Sequence, residues 1–267
     1  MDNTKSLKGL KVLNAITFLL MIAVNALANF LPLNGVTTGE VSKAYPNLFT
    51  PAKFTFSIWG LIYLLLALFI LYQFGLFKDE NSRREELIKE IGFAFAFSSI
   101  INAAWVVVWH YGLIPVSVLF MITLLISLIS INSKLRAQEF SGKDKIFIKL
   151  PFSIYFAWIT IAAIANIVIL LTSLGFNGVG ISTQIWTAIV LALGLIICAA
   201  VTIKNRDAAY GLTAMWAYAG ILYKHISADG FNGQYRAVVI TAIVSLVLLL
   251  ISVLFVLVVK RKHPIKL

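Results

Sequence analysis

The side chains here that could do chemistry are aromatic rings and carboxamides rather than acids, bases or nucleophiles. Trp59 and Tyr63 stand four positions apart, Asn102 and Trp105 three apart, and Trp158, Ala162 and Asn166 follow one another at intervals of four. Residues three or four apart share one face of a helix, so each set lines up indole, phenol or amide groups along its own helix. Indole faces stack on flat apolar molecules, and a carboxamide offers both a donor and an acceptor. An Asn in the middle of an apolar helix is costly toward lipid, so Asn102 and Asn166 are expected to face other helices. There they serve as interhelical glue or as polar anchors of a pocket, and residue types alone leave both readings open. Trp186 and Trp216, near the ends of their apolar runs, fit the interfacial belt that tryptophan favours.

Enzyme hardware is missing. There are no paired carboxylates inside apolar runs, no nucleophile elbow and no glycine-rich phosphate loop. His110, His225 and His263 fall on different loops or helix ends, without the spacing of metal ligands. His110 reads as an interfacial residue, and Asp207, immediately before an apolar run, as a helix N-cap. The single cysteine, Cys198, sits in an apolar run as a small filler and rules out a disulfide framework or a multi-cysteine metal site. No motif calls for a cofactor, and the reading is not that of an enzyme.

The elements that must position these groups follow from composition. Of 267 residues 60% are apolar and 12% charged, with mean hydropathy +0.93, against a charged share of about 25% in soluble domains. A helix needs roughly 20 mostly apolar residues to cross a bilayer. Eight such runs are present: Val12–Leu33, Phe54–Phe77, Ile91–Tyr111, Leu113–Ser133, Leu150–Leu171, Ile181–Ile203, Ala208–Tyr223 and Ala237–Val259. The fold class is therefore all-α, a polytopic membrane helix bundle of about eight transmembrane helices. Pro115 and Pro151 stand at the starts of their runs, where a missing amide costs little. A retained first helix is expected although Ala26-Leu27-Ala28 has the form of a signal-peptide cleavage site, because the run is long and carries Asn14, Asn25 and Asn29.

A net charge of +11 would suggest nucleic acid in a soluble protein, but here it partitions with topology. With eight spans, all but four of the 22 Lys and Arg fall on the side that holds both termini; Lys43, Lys53, Lys224 and Arg236 are the exceptions. Basic residues accumulate in cytoplasmic loops, so both termini are expected in the cytoplasm, with the plasma membrane as the location, the lipid bilayer as partner and no nucleic acid. The pair Lys204/Arg206 supports the short, rather polar seventh run. Between the second and third runs, KDENSRREELIKE reads as a solvated extension of the third helix, with Ser82 and Glu85 spaced as a capping box.

The spaced motifs have a precedent. The stretch Pro51-Ala-Lys-Phe-Thr-Phe-Ser-Ile-Trp59-Gly60-Leu-Ile-Tyr63 resembles the second helix of the tryptophan-rich sensory protein family (TspO/MBR, translocator-protein-like). Asn102-Ala-Ala-Trp105 is similar to its third-helix N-x-x-W. Leu150-Pro151, then Trp158-Ile-Thr-Ile-Ala162-Ala-Ile-Ala-Asn166, is similar to the fifth-helix L-P-Y...W-x-x-x-A-x-x-x-N. The resemblance covers about residues 10–171. It departs in the first loop, where Pro46 and Pro51 are kept but the family's tryptophans are absent, and between Pro151 and Trp158, where the interval is longer.

The resemblance implies a TspO/MBR-like five-helix bundle over residues 1–171 whose pocket takes a planar hydrophobic ligand, porphyrin-like or sterol-like, with a sensory or regulatory role. The ligand-binding residues carried over are Trp59, Tyr63, Asn102, Trp105, Trp158, Ala162 and Asn166, and the first loop is the pocket's lid. Residues 172–267 form an additional three-helix region that could cover the bundle, form a homodimer surface or build a second site around Tyr210, Trp216 and Tyr218. The alternative function is a small-solute transporter or permease component.

Overall fold

The computed structural model describes residues 2–31, 33–77, 83–138, 140–176, 178 and 180–262. Among the described residues eight long helices follow one another: α1 (Asp2–Phe30), α2 (Ile58–Gln73), α3 (Arg84–His110), α4 (Ile114–Arg136), α5 (Leu150–Ser173), α6 (Thr183–Lys204), α7 (Ala208–Ile226) and α8 (Arg236–Lys262). No strand occurs among the described residues. Each helix covers one apolar run, so the all-α bundle demanded by composition is the fold that forms.

Seven of these helices are long and apolar enough to cross a membrane. The exception is α7, whose 19 residues are long enough but include Tyr210, Thr213, Tyr218, Lys224 and His225. Tyr210, Thr213, Tyr218 and His225 are buried, and Lys224 is half-buried. Polar groups covered by protein need not face lipid.

Local signals account for the helix ends. Pro115 lies in the first turn of α4. Asp207 caps α7 by accepting a hydrogen bond from the Tyr210 amide at 3.2 Å. Gly112, at φ +66, makes the sharp turn between α3 and α4. At the start of α3 the cap position is Arg83, with no side-chain cap bond; Ser82, the expected capping residue, lies outside the described residues. Glu85 instead pairs with Lys11 of α1 at 3.4 Å, and Arg83 with Glu86 at 2.6 Å.

The chain divides into two compact units, Met1–Lys43 with Ile58–Ile159, and Ala44–Ser57 with Thr160–Leu267; the boundary falls inside α5. In the first unit α1 and α4 pack along α3. Phe69, Phe95 and Phe152, all fully buried, meet edge to face at 5.1, 5.1 and 5.6 Å and lock α2, α3 and α5 together. The Asn132 amide of α4 donates to the Phe152 carbonyl at 3.2 Å. At one end, Asn14 donates to Gln73 and Gln73 to the Lys11 carbonyl, each at 3.1 Å. Nearby, the Tyr72 hydroxyl donates to buried Asp144 at 2.9 Å.

In the second unit α6, α7 and α8 pack against one another. Gly194 of α6 admits the Tyr218 ring of α7, since a Cβ there would sit 2.6 Å from the phenol oxygen. The Tyr218 hydroxyl donates to the Leu191 carbonyl at 2.7 Å, and that of Tyr210 to Thr160 at 3.0 Å. Cys198 is a buried free thiol.

Candidate functional site

Trp59 stands in the first turn of α2, directly after the 3-10 turn Lys53–Ser57. One helical turn on, Tyr63 stacks on it with ring centroids 5.3 Å apart and planes at 24°. On α5, Trp158 and Tyr155 both meet Trp59 edge to face, at 6.2 and 6.1 Å. Four rings from two helices thus form one cluster. Trp59 and Tyr63 are half-buried, while Tyr155 and Trp158 are buried. The cluster is therefore open only along its α2 side.

Asn102 enters from α3, fully buried. Its amide donates to the Tyr155 hydroxyl at 2.9 Å, and its carbonyl accepts from the Asn25 amide of α1 at 2.9 Å. Asn25 donates in addition to the Met21 carbonyl at 2.9 Å. The chain of bonds from α1 through α3 to α5 holds the phenol ring that abuts Trp59. Interhelical side-chain bonds of this kind are worth about 0.6 kcal/mol each in membrane bundles, with an upper range of about 1.7.

Trp105 lies one turn past Asn102 on α3 and pairs with Trp109, rings 5.6 Å apart and planes at 24°. The Trp109 indole donates to the Thr38 carbonyl at 3.1 Å. The Trp105 indole nitrogen is buried and has no hydrogen-bond partner among the described residues. A buried donor left unpaired costs about 1–3 kcal/mol. Ala162 and Asn166 continue along α5 in the stretch that belongs to the second unit; Ala162 is half-buried and Asn166 buried.

The structure brings Trp59, Tyr63 and Trp158 together and joins Asn102 to them through Tyr155. Sequence reasoning passed over Tyr155 and Asn25. Tyr155 was signalled by its place three residues before Trp158, and Asn25 by its amide inside an apolar run. Trp105 keeps different company, on Trp109. His110 is built into the local packing: its Nδ1–H donates to the Val106 carbonyl at 2.7 Å, and its Nε2 lies 3.3 Å from the Thr38 hydroxyl. Among the described residues no group of three or more His, Cys, Asp or Glu could hold a metal ion.

A family model described as TSPO-like protein matches residues 11–255. No curated protein and no solved structure matches the chain. The resemblance legible in the motifs stops near residue 171, whereas the match continues through α6 and α7 into α8. From its first helix to its eighth, the chain belongs to the TSPO-like protein family.

Proposed function

We propose that this membrane protein binds a planar hydrophobic ligand, porphyrin-like or sterol-like, within its first five helices, residues 1–171, and acts as a sensory or regulatory protein rather than an enzyme. The observation that carries the reading is the four-ring cluster Trp59–Tyr63–Tyr155–Trp158, half-open on its α2 side and backed by a buried amide chain. A flat ligand enters past Trp59 and Tyr63 and stacks on the indoles, each ring pair contributing about 0.5–1.5 kcal/mol beyond simple burial. Asn102, bonded to Tyr155 and Asn25, holds the ring wall in place, and the unpartnered Trp105 N–H takes an acceptor on the ligand. Ala162 and Asn166, carried over by the resemblance, complete the proposed set of ligand-binding residues.

The test is titration of the purified protein with a porphyrin, read as quenching of indole fluorescence. Saturable quenching at low-micromolar concentration or weaker is expected, about −8 kcal/mol at 1 μM. A Trp59→Phe/Trp158→Phe double variant should lose most of it. Equal quenching in that variant, or none in the native protein, sinks the proposal. Solute accumulation by proteoliposomes would mark a transporter instead.

The basic-residue distribution supports a plasma-membrane protein with both termini cytoplasmic and α7 crossing the bilayer as the seventh of eight spans. A reporter fused after residue 262 should then read as cytoplasmic; an external reading would mean that α7 does not cross.

A further inference from the structure

Residues 44–57, which join the first helix region to α2, fold as part of the second compact unit. Four polar contacts fasten this strap to α7. The Ala52 amide donates to the Gly220 carbonyl at 3.1 Å, and the Trp216 indole to the Thr55 carbonyl at 2.9 Å. The Lys224 ammonium donates to the Thr50 carbonyl at 3.0 Å, and His225 Nε2 to the Leu48 carbonyl at 2.8 Å. Phe54 packs edge-on between Trp216 and Tyr223, at 5.6 and 5.1 Å. Gly220 permits the close approach, because a Cβ there would collide with the Thr55 side chain. The strap ends at Ser57, and Trp59 follows in the first turn of α2.

Three of these fastenings tolerate any pH in the physiological range, but the fourth does not. His225 is fully buried, and with Nε2 donating to Leu48 its Nδ1 is the lone-pair nitrogen, without a partner among the described residues. Protonation would put a second N–H where nothing accepts it. Lys224, the next residue on the same helix, is the charged group that bears on the ring. From the turn before α8, Phe231 and Tyr235 cover it at 4.8 and 5.9 Å, and the strap faces it with the Leu48 carbonyl.

We propose that the strap is a pH-sensitive latch: α7 holds it while His225 is neutral, and protonation of His225 releases it, loosening the segment that continues through Ser57 into the first turn of α2. Its consequence for ligand binding rests on the proposed site at Trp59; the latch itself does not. His225 lies beyond the apolar run that ends at Tyr223. Burial holds its pKa below the ordinary value, against the bond to Leu48, and Lys224 lowers it further. In the released strap the histidine would titrate near about 6.5. The latch is therefore at full strength above that pH and weakens as pH falls, by at most about tenfold per unit.

Hydrogen exchange on the full-length protein in detergent tests the latch directly. After correction for intrinsic exchange chemistry, protection of the Ala52 amide should fall several-fold, approaching about tenfold, between pH 7 and pH 5.5. In His225→Gln, whose amide can still donate to Leu48 but does not titrate, protection should be flat with pH. NMR titration of His225 in the native protein, which needs no variant, should place its midpoint below the ordinary value. Protection independent of pH in the native protein, the same fall in His225→Gln, or an ordinary His225 midpoint each overturns the latch. Protoporphyrin IX quenching, compared between pH 7 and pH 5.5 in both proteins, tests the coupling. A pH dependence present in the native protein and absent in His225→Gln supports it, and release without any change in affinity overturns it. Absence of quenching at both pH values sinks the binding proposal, while exchange still judges the latch.

Discussion

The two compact units use the same aromatic side chains to different ends. In the second, the Tyr210 and Tyr218 hydroxyls and the Trp216 indole are each bonded inside the unit, to Thr160, the Leu191 carbonyl and the Thr55 carbonyl. Both tyrosines are fully buried. In the first unit, Trp59 and Tyr63 are half-buried and the Trp105 N–H is unspent. Neither aromatic content nor exposure therefore distinguishes a candidate site from structural packing in this protein, since Trp216 is itself 38% exposed; a leftover indole N–H does. A second site around Tyr210, Trp216 and Tyr218, one of the roles open to the last three helices, would have to be made from groups whose polar ends are already engaged.

The largest test of this contrast is Asn102→Leu, which takes a partner from both the Asn25 amide and the Tyr155 hydroxyl. We expect a loss of about 3 kcal/mol, measured by reversible unfolding in mixed micelles, because the buried Tyr155 hydroxyl loses the amide that donates to it and Asn25 keeps only its bond to the Met21 carbonyl. A double-mutant cycle with Asn25→Leu should show strong coupling; additivity would mean that the amide chain is not one unit. Next comes Gly220→Ala, which drives a methyl group into Thr55 and should cost about 2 kcal/mol. Its damage should appear as fast hydrogen exchange over residues 44–57, and Thr55→Ala should recover part of it.

Trp216→Phe keeps the edge contact to Phe54 but deletes one hydrogen bond, so a loss of about 1 kcal/mol is expected. It should loosen the strap, read as faster hydrogen exchange of the Ala52 amide, whose bond to the Gly220 carbonyl lies beside the one removed. Trp105→Phe should be the mildest, within about 0.5 kcal/mol in stability, since relief of the unpaired buried N–H offsets the packing volume lost. Porphyrin affinity should nonetheless fall about fivefold if that N–H meets the ligand. An unchanged affinity would place Trp105 with the packing residues.

Most of the architecture was legible because apolar runs of spanning length leave a chain few alternatives in a bilayer. The structure realises all eight runs as helices, the cap at Asp207 included. The proposed crossing of α7 has the least support in composition: its basic flank argues for a span, while its tyrosines, lysine and histidine keep it from being apolar enough. Trp59, Tyr63 and Trp158 could be read as a set from helical spacing. Their partner Tyr155 could not be singled out, because i,i+3 spacing marks a shared face but not what lies across it. The strap on α7 was hidden for a related reason. It joins Leu48 and Thr50 to residues more than 170 positions away, through backbone carbonyls that every residue possesses.

What the sequence by itself determined is the all-helical membrane class, the apolar run at the centre of each helix and the identity of the aromatic and amide groups; the first helix begins ten residues before its run, at Asp2 instead of Val12. Hydropathy and helical periodicity are local properties, and the chain carries them wherever it goes. Only the tertiary structure decided which of those groups meet, which keep an unspent donor, and that the connection before α2 belongs with α7. Those outcomes depend on distances between helices far apart in sequence, and on the glycine at 220 being small enough to let the strap close against α7.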